Sequence, residues 1–269
     1  MKNLEFQNFS EFEAWVEQIK SEQSTSKKQS PWMYSDLLFR GHADEQWPLL
    51  TTLERECPDI NSIEEYLRSA ARVKLQVELH SGRKWGEILD DQGQIIDAGD
   101  ISFGGTIPAL EYLVYLRHHG FPSPLLDWTR SPYIAALFAY SGCESGEGQI
   151  AIFVYQQYSG KAIARYSDGE FIHNIGPYID THKRHSIQQA QYSLCLIKSK
   201  NLLNNDYILH SHEAYRKNNP TELYKITLPK SEKYKILAKL DQFNLNLHSL
   251  YGSEEALMST LALREFHLR

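Results

Sequence analysis

Residues 121–140 read FPSPLLDWTRSPYIAALFAY and place a dense group of polar and aromatic side chains directly before a helix. A serine followed by a proline, at Ser131, is typical of a helix N-cap with proline in the first helical position. The apolar residues after it predict a short buried helix. Asp127, Trp128 and Thr129 fall in the turn before that helix. Functional residues are often carried by such turns, so this segment is the first candidate site.

Each polar or aromatic residue of this turn has a structural interpretation as well as a functional one. Ser131 is expected to cap the helix. Thr129 has no capping or helical role that the sequence assigns, so it is a candidate to hold a neighbouring side chain or a ligand hydroxyl. Asp127 would pair with a basic residue such as Arg40 or orient the loop. Trp128 follows two leucines, and a core position is the simpler interpretation for its ring.

The second candidate segment is residues 37–50, LLFRGHADEQWPLL. Its first residues predict the end of a strand spanning 34–40, and Arg40 comes directly after the apolar run. A guanidinium at the end of a buried strand needs an anionic partner, and its planar fork matches a carboxylate or a phosphate. Gly41 lets another group approach the backbone closely. The pattern therefore predicts either a nucleotide-binding strand or a structural arginine–carboxylate pair.

The remaining chain alternates helical and strand patterns without a regular strand–helix–strand rhythm, which predicts an α+β fold. Residues 148–155, GQIAIFVY, indicate a central buried strand. Further strands are expected at 193–197 and 223–228, and helices at 231–240 and 254–266.

The N-terminal part begins with an amphipathic helix. A capping box is predicted at Ser10 and Glu13, and a second one at Ser62 and Glu65 for a later helix. The polar residues 21–30 are expected to form a mobile loop. We divide the chain into an N-terminal helix and polar loop at 1–30 and a single domain at 31–269.

Composition narrows the possible classes of protein. The net charge of −6 is unlike that of a nucleic-acid binder held mainly by phosphate contacts. Three cysteines without a paired motif favour free thiols over disulfides or zinc, and no metal site is expected. No apolar run is long enough to cross a membrane, and the first residues lack the apolar core of a signal peptide. These features predict a cytoplasmic protein.

Two motifs in this sequence resemble those of the FRG domain family. Phe39-Arg40-Gly41 is similar to its first motif, and residues 119–139, which include Leu125-Leu126-Asp127-Trp128-Thr129, are similar to its second. The family pattern usually has a basic residue before the leucines, where this chain has Pro124. Weaker similarity continues through Arg184, the glutamines at 188 and 189, and the C-terminal residues.

The order of these motifs resembles the ADP-ribosyltransferase plan, and that resemblance implies a split sheet flanked by helices. It also implies NAD as the substrate, held by Arg40, with the Gly41 backbone bound to the nicotinamide amide. The implied catalytic residues are Arg40, Thr129, Gln188, Gln189 and Glu255. The implied NAD-binding residues are Arg40, Gly41, Asp127, Trp128, Thr129 and Ser131.

Two functions follow as expectations. The first is an NAD-dependent ADP-ribosyltransferase, a bacterial toxin that modifies a protein or nucleic-acid acceptor and is restrained by a neutralising antitoxin protein. The second is a non-catalytic module that uses the same cleft to bind a nucleotide or a partner. Glycosidic-bond cleavage needs a group that stabilises positive charge on the ribose, and Gln188, Gln189, Glu254 and Glu255 are the candidates for it. In both cases Arg40 and Thr129 should line one cleft, with Arg40 paired to Asp127 in the absence of ligand.

Overall fold

The computed structural model describes residues 1–30, 33–96, 107–157, 170–175, 190–198, 207–209 and 222–268, which form a mixed α and β architecture. The strands of this part are β1 (Lys2–Glu5), β2 (Leu38–His42), β3 (Leu126–Trp128), β4 (Gln149–Gln156), β5 (Glu170–Ile175), β6 (Gln191–Lys198), β7 (Tyr207–Leu209) and β8 (Glu222–Pro229). Its helices are α1 (Phe9–Gln29), α2 (Thr52–Glu56), α3 (Ile63–Ser81), α4 (Leu110–His118), α5 (Pro132–Gly142), α6 (Lys233–Gln242), α7 (Leu247–Tyr251) and α8 (Glu254–His267).

The described strands form two sheets. The first has the order β1-β8-β4-β2, in which β1 runs parallel to β8 and the other neighbours are antiparallel. The second has the order β3-β6-β5, with β7 also paired to β6, and its neighbours are all antiparallel. The expectation of a chain of mixed α and β structure, with a sheet flanked by helices, is confirmed.

Across the described part of the chain, one pair of residues with backbone hydrogen bonds joins the two sheets. Phe39 in β2 and Thr129, directly after β3, exchange backbone hydrogen bonds with N–O distances of 2.7 and 2.9 Å. The next pair in the same antiparallel register would be Gly41 and Asp127, but within the described residues the ladder between these strands stops at Phe39 and Thr129. The two sheets therefore separate beside Gly41, and this separation creates the cleft described below.

Buried side chains form three clusters. One lies between the first sheet and helices α1, α5 and α6, and includes Phe12, Phe39 and Ala135. A second lies between the other sheet and helices α3 and α4. The third contains side chains from both sheets, among them Trp128 and Phe153, and so packs the two sheets against each other. Burial of this much apolar surface is the main stabilising term of the fold.

The polar residues 21–30 are not a loop, contrary to the sequence-based expectation, because helix α1 continues to Gln29. Tertiary contacts hold the extension: Gln23 and Gln156 exchange amide hydrogen bonds at 3.1 and 2.9 Å, and Lys27 pairs with Asp36 at 2.6 Å. Lysines in the last turn also suit the helix dipole. Helix α1 therefore packs on the sheet rather than ending after its apolar stripe.

Both predicted capping boxes are wrong in detail. The N-terminus of α1 is capped two residues earlier, where Asn8 accepts from the Glu11 N–H and Glu11 accepts from the backbone N–H of Gln7. Ser62 occupies the N-cap position of α3 but makes no side-chain capping bond. The predicted buried strand at 148–155 corresponds to β4 and is confirmed. Among the described helices, none combines the length and the apolar character needed to cross a bilayer.

Candidate functional site

A small cleft lies where β2 and β3 separate, and it brings the two candidate segments together. Its volume is about 110 Å³. Helix α5 closes it on one side. Its walls are formed by Phe39, Arg40, Gly41, Asp127, Trp128, Thr129, Ala135 and Phe138. The expectation that Arg40 and Thr129 line one cleft is confirmed, although they are far apart in sequence.

Arg40 reaches across the gap between the strands. Its Nη1 donates to the backbone carbonyl of Asp127 at 2.9 Å and to Asp127 Oδ1 at 2.7 Å. If the ladder continued, Asp127 would face Gly41. The Arg40 guanidinium thus bonds to the backbone carbonyl of this residue. The predicted pairing of Arg40 with Asp127 is confirmed, and both side chains are largely shielded, at 16 % and 23 % exposure.

A second arginine, which sequence reasoning missed, binds the same carboxylate. Arg117, in the last turn of α4, donates from Nη2 to Asp127 Oδ1 at 2.7 Å. A second positive charge, bound to the Asp127 of the cleft wall, therefore comes from α4, while Pro124 stands at the position where the family resemblance suggests a basic residue. The signal for Arg117 in the sequence is weak, because a basic residue in the last turn of a helix has an ordinary explanation in the helix dipole.

The carboxylate of Asp127 is held in its ionised form. Burial on its own would raise the pKa of this group, but the charges of Arg117 and Arg40 outweigh burial and hold the pKa well below its ordinary value. For Arg40, burial is the larger effect: it lowers the pKa of the guanidinium, and the negative charge of Asp127 offsets this lowering only in part. Two cations therefore share one anion, and the cluster carries a surplus positive charge.

His42, another residue that sequence reasoning missed, fixes the orientation of Arg40. Its Nε2 lies 3.2 Å from the Arg40 Nε, and its ring packs on Phe153 with centroids 4.9 Å apart. Burial, followed by the positive charge of Arg40, lowers the pKa of His42 to about 3. The imidazole is therefore neutral at physiological pH, and its Nε2 accepts the hydrogen bond from the guanidinium.

Gly41 is required by the packing of helix α5. A Cβ at this position would lie 1.9 Å from the carbonyl oxygen of Ala135 and 3.0 Å from the Ala139 nitrogen. Helix α5 is therefore the group that approaches Gly41 closely, on the face from which a side chain would project. Successive residues of a strand direct their backbone groups to opposite edges, so Gly41, two residues after Phe39, directs its N–H and C=O to the same edge as Phe39, into the gap between the sheets.

The residues that follow Asp127, at the end of β3 and before α5, have structural roles in this arrangement. The Trp128 side chain is buried and donates from Nε1 to Ser193 Oγ at 2.7 Å, which ties β3 to β6. Thr129 Oγ1 accepts from the Ser131 N–H at 3.2 Å, a local role that the sequence did not assign. Ser131 Oγ accepts from the Ile134 N–H at 3.3 Å, which confirms the predicted N-cap.

The four candidates for the ribose-stabilising group are not brought into the cleft by the part of the chain that is described. Gln188 and Gln189 lie outside the described residues. Glu254 and Glu255 are exposed in the first turn of α8 and are absent from the cleft walls. A hydrogen bond with the Ser253 side chain lowers the pKa of Glu255, which is the behaviour of a helix N-terminal carboxylate.

Histidine, cysteine and acidic side chains are the usual protein ligands of metal ions. Among the described residues no group of three such side chains is placed to hold a metal ion. The three cysteines are free. His118 is partly buried, with its Nε2 2.6 Å from the hydroxyl of Tyr192. Tyr192 faces Asp127 across the β3–β6 pair, so this contact borders the arginine cluster.

Comparison with known proteins places the cleft within a recognised domain. The sequence profile of the FRG domain matches residues 35–147, a range that contains Arg40, Gly41, Arg117 and Asp127. No curated protein matches the chain. No solved structure matches it either. On the basis of the profile match, residues 35–147 of the chain form an FRG domain.

Proposed function

We propose that this chain is an NAD-dependent ADP-ribosyltransferase whose active site is the cleft between β2 and β3. The observation that carries the proposal is the position of Arg40 and Gly41. The guanidinium and a strand edge with both a donor and an acceptor lie side by side where the two sheets separate. The two connected sheets flanked by helices are consistent with the split sheet of that class of enzymes.

The proposed substrate matches these groups chemically. A nicotinamide carboxamide has one C=O and one NH₂, which complement the N–H and C=O that Gly41 directs into the gap. The fork of Arg40 suits a phosphate of the same molecule. Binding the leaving group at one end and the phosphate at the other would hold the glycosidic bond in position for transfer.

The cleft must widen for such a substrate to bind. Its volume of about 110 Å³ is well below the roughly 300–1,000 Å³ of typical small-molecule sites. The contact of Arg40 with Asp127 closes the gap at rest. In the proposed mechanism a substrate phosphate replaces Asp127 as the partner of Arg40, so that binding itself releases the closing contact.

The group that stabilises positive charge on the ribose remains part of the proposal. Gln188, Gln189 and Glu255 are the candidates, and Thr129 would brace the wall of the pocket through its bond to the Ser131 N–H. The acceptor is a protein or a nucleic acid. As a toxin, the enzyme would require a neutralising partner protein in the cell that produces it.

Incubation of the purified chain with labelled NAD and a cell lysate tests the proposal. The expected result is free nicotinamide together with label on a macromolecule. Arg40→Ala and Arg40→Lys should both abolish the signal, because lysine lacks the planar fork. Arg130→Lys should leave the signal intact, because Arg130 is a half-exposed arginine that lies close to Asp127 in sequence. Wild-type protein that releases no nicotinamide and transfers no label would refute the enzyme function.

A second candidate function is a non-catalytic module that binds a nucleotide or a partner in the same cleft. The small cleft volume and the position of Glu254 and Glu255 outside its walls favour this alternative. Calorimetry distinguishes the two functions, because the module would bind ADP-ribose or NAD without releasing nicotinamide. Toxicity on expression that Arg40→Ala removes would contradict the module.

A further inference from the structure

We infer that Arg117 and Arg40 together form a binding site for a ligand with two phosphoryl groups, and that Asp127 positions both arginines for it. The inference uses the cleft of the proposed function and deepens it, but it does not depend on transfer chemistry. Its first basis is that the two guanidiniums, from β2 and from α4, meet on the same oxygen of Asp127 at 2.7 Å each.

The hydrogen bonds of this cluster leave donors unused. A fully paired arginine and carboxylate share two parallel bonds that use both oxygens, whereas here one oxygen accepts from both arginines. Among the described residues, Nη2 of Arg40 and Nε and Nη1 of Arg117 have no hydrogen-bond acceptor, and the Arg117 Nε is fully shielded from solvent. Donors on two separate guanidiniums therefore lack an acceptor among the described residues.

The charges of the cluster do not balance without an anion. Arg40 and Arg117 contribute two positive charges against one negative charge on Asp127, and His42 is neutral. Arg55 adds a further positive charge close enough to affect the pKa of both Arg40 and His42. A surplus cation in a largely buried position is unfavourable, so an anion that enters the cleft gains from a charge that the described residues leave uncompensated.

A pair of linked phosphoryl groups satisfies this arrangement better than a single one. The arginines approach Asp127 from different elements, so one phosphoryl group could replace the carboxylate at Arg40 while its neighbour contacts Arg117. Each guanidinium would then have its own anionic oxygens, after Asp127 had held the two side chains near each other in the unliganded chain. The ligand class that fits is a pyrophosphate, as in a nucleoside diphosphate or its esters.

Calorimetric titration of the full chain with inorganic pyrophosphate and with orthophosphate tests the inference. Pyrophosphate should bind at least about tenfold more tightly than orthophosphate. Arg117→Gln should remove most of that preference, and Arg117→Lys, which keeps the charge but not the fork, should retain only part of it. Arg68→Gln is the matched control, because it removes an arginine that is already paired with Glu64 and the Gly93 carbonyl.

The outcomes separate this inference from the proposed function. Pyrophosphate binding that depends on Arg117, in a chain that never consumes NAD, would support the site and refute the transferase. Release of nicotinamide by a chain that does not prefer pyrophosphate, or whose preference is unchanged in Arg117→Gln, would overturn the inference. Circular dichroism on each variant verifies the fold. Should Arg117→Gln not fold, the comparison of Arg117→Lys with wild type decides the result.

Discussion

Arg40 bonds to both the backbone carbonyl and the side chain of Asp127, at 2.9 and 2.7 Å, across the gap at which the ladder between β2 and β3 ends. A side-chain donor thereby satisfies the carbonyl that faces the gap once the strands separate. The same contact fixes the two family motifs relative to each other. Arg40 therefore stabilises the separation of the sheets as well as supplying charge to the cleft.

Removal of the shared carboxylate should destabilise the fold. Asp127→Asn leaves two largely buried guanidiniums without their anion, and we expect a loss of about 3 kcal/mol, the lower end of the range for a buried ion pair that loses one partner. Urea denaturation measures the change. Asp36→Asn, which disrupts half-exposed ion pairs, should cost at most about 1 kcal/mol. Equal losses for the two variants would contradict the importance of the arginine cluster.

The stability of the chain should fall in mildly acidic solution because of His42. The folded pKa is about 3 and the ordinary value 6.5, so below pH 6.5 the unfolded chain binds a proton that the folded chain excludes. Linkage then predicts that the His42 contribution decreases by about 1.4 kcal/mol between pH 7.5 and 5.5. His42→Gln, which keeps an acceptor for Arg40, should show a correspondingly weaker pH dependence of the urea unfolding free energy. Parallel pH dependences in variant and wild type would refute the assignment.

Any side chain at position 41 should disturb the contact between α5 and β2. Gly41→Ala would place a Cβ 1.9 Å from the Ala135 carbonyl oxygen, and neither backbone can move without displacing the helix. We expect a loss of about 3 kcal/mol from this overpacking, measured by urea or thermal unfolding. Gly86→Ala is the control, since its new Cβ would have its nearest neighbour at 3.9 Å. A stable Gly41→Ala protein would show that the helix does not pack as described.

The hydrogen bond between Trp128 and Ser193 should contribute measurably to the stability of the fold, because it links β3 to β6. Ser193→Ala leaves the buried indole N–H without that acceptor, at an expected cost of about 1–3 kcal/mol in unfolding free energy. Ser145→Ala, at an exposed position before β4, should be close to neutral. A loss no larger than that of the control would mean that solvent or another group satisfies the indole.

Local patterns in the chain were sufficient for the elements whose residues interact over short distances. The serine–proline pair at Ser131 identified the start of α5, because a cap bonds within its own turn. The apolar run at 148–155 identified β4, because a strand buried on both faces is apolar throughout. The prediction for residues 21–30 was wrong, since their helix is held by Gln156, which is distant in sequence, and by Asp36, which lies beyond the segment.

By itself, the sequence determined that Arg40 needs an anionic partner, since a guanidinium at the end of a buried strand is unstable without one. The pairing with Asp127 was a sequence-based prediction that the structure confirmed. Only the tertiary structure decided that Arg117 shares this carboxylate and that His42 orients Arg40. It also decided that Gly41 faces a helix on one side and an open edge on the other. Hydrogen bonds and ion pairs act over a few ångströms in space, and residues tens of positions apart come within that range only when the sheets are assembled.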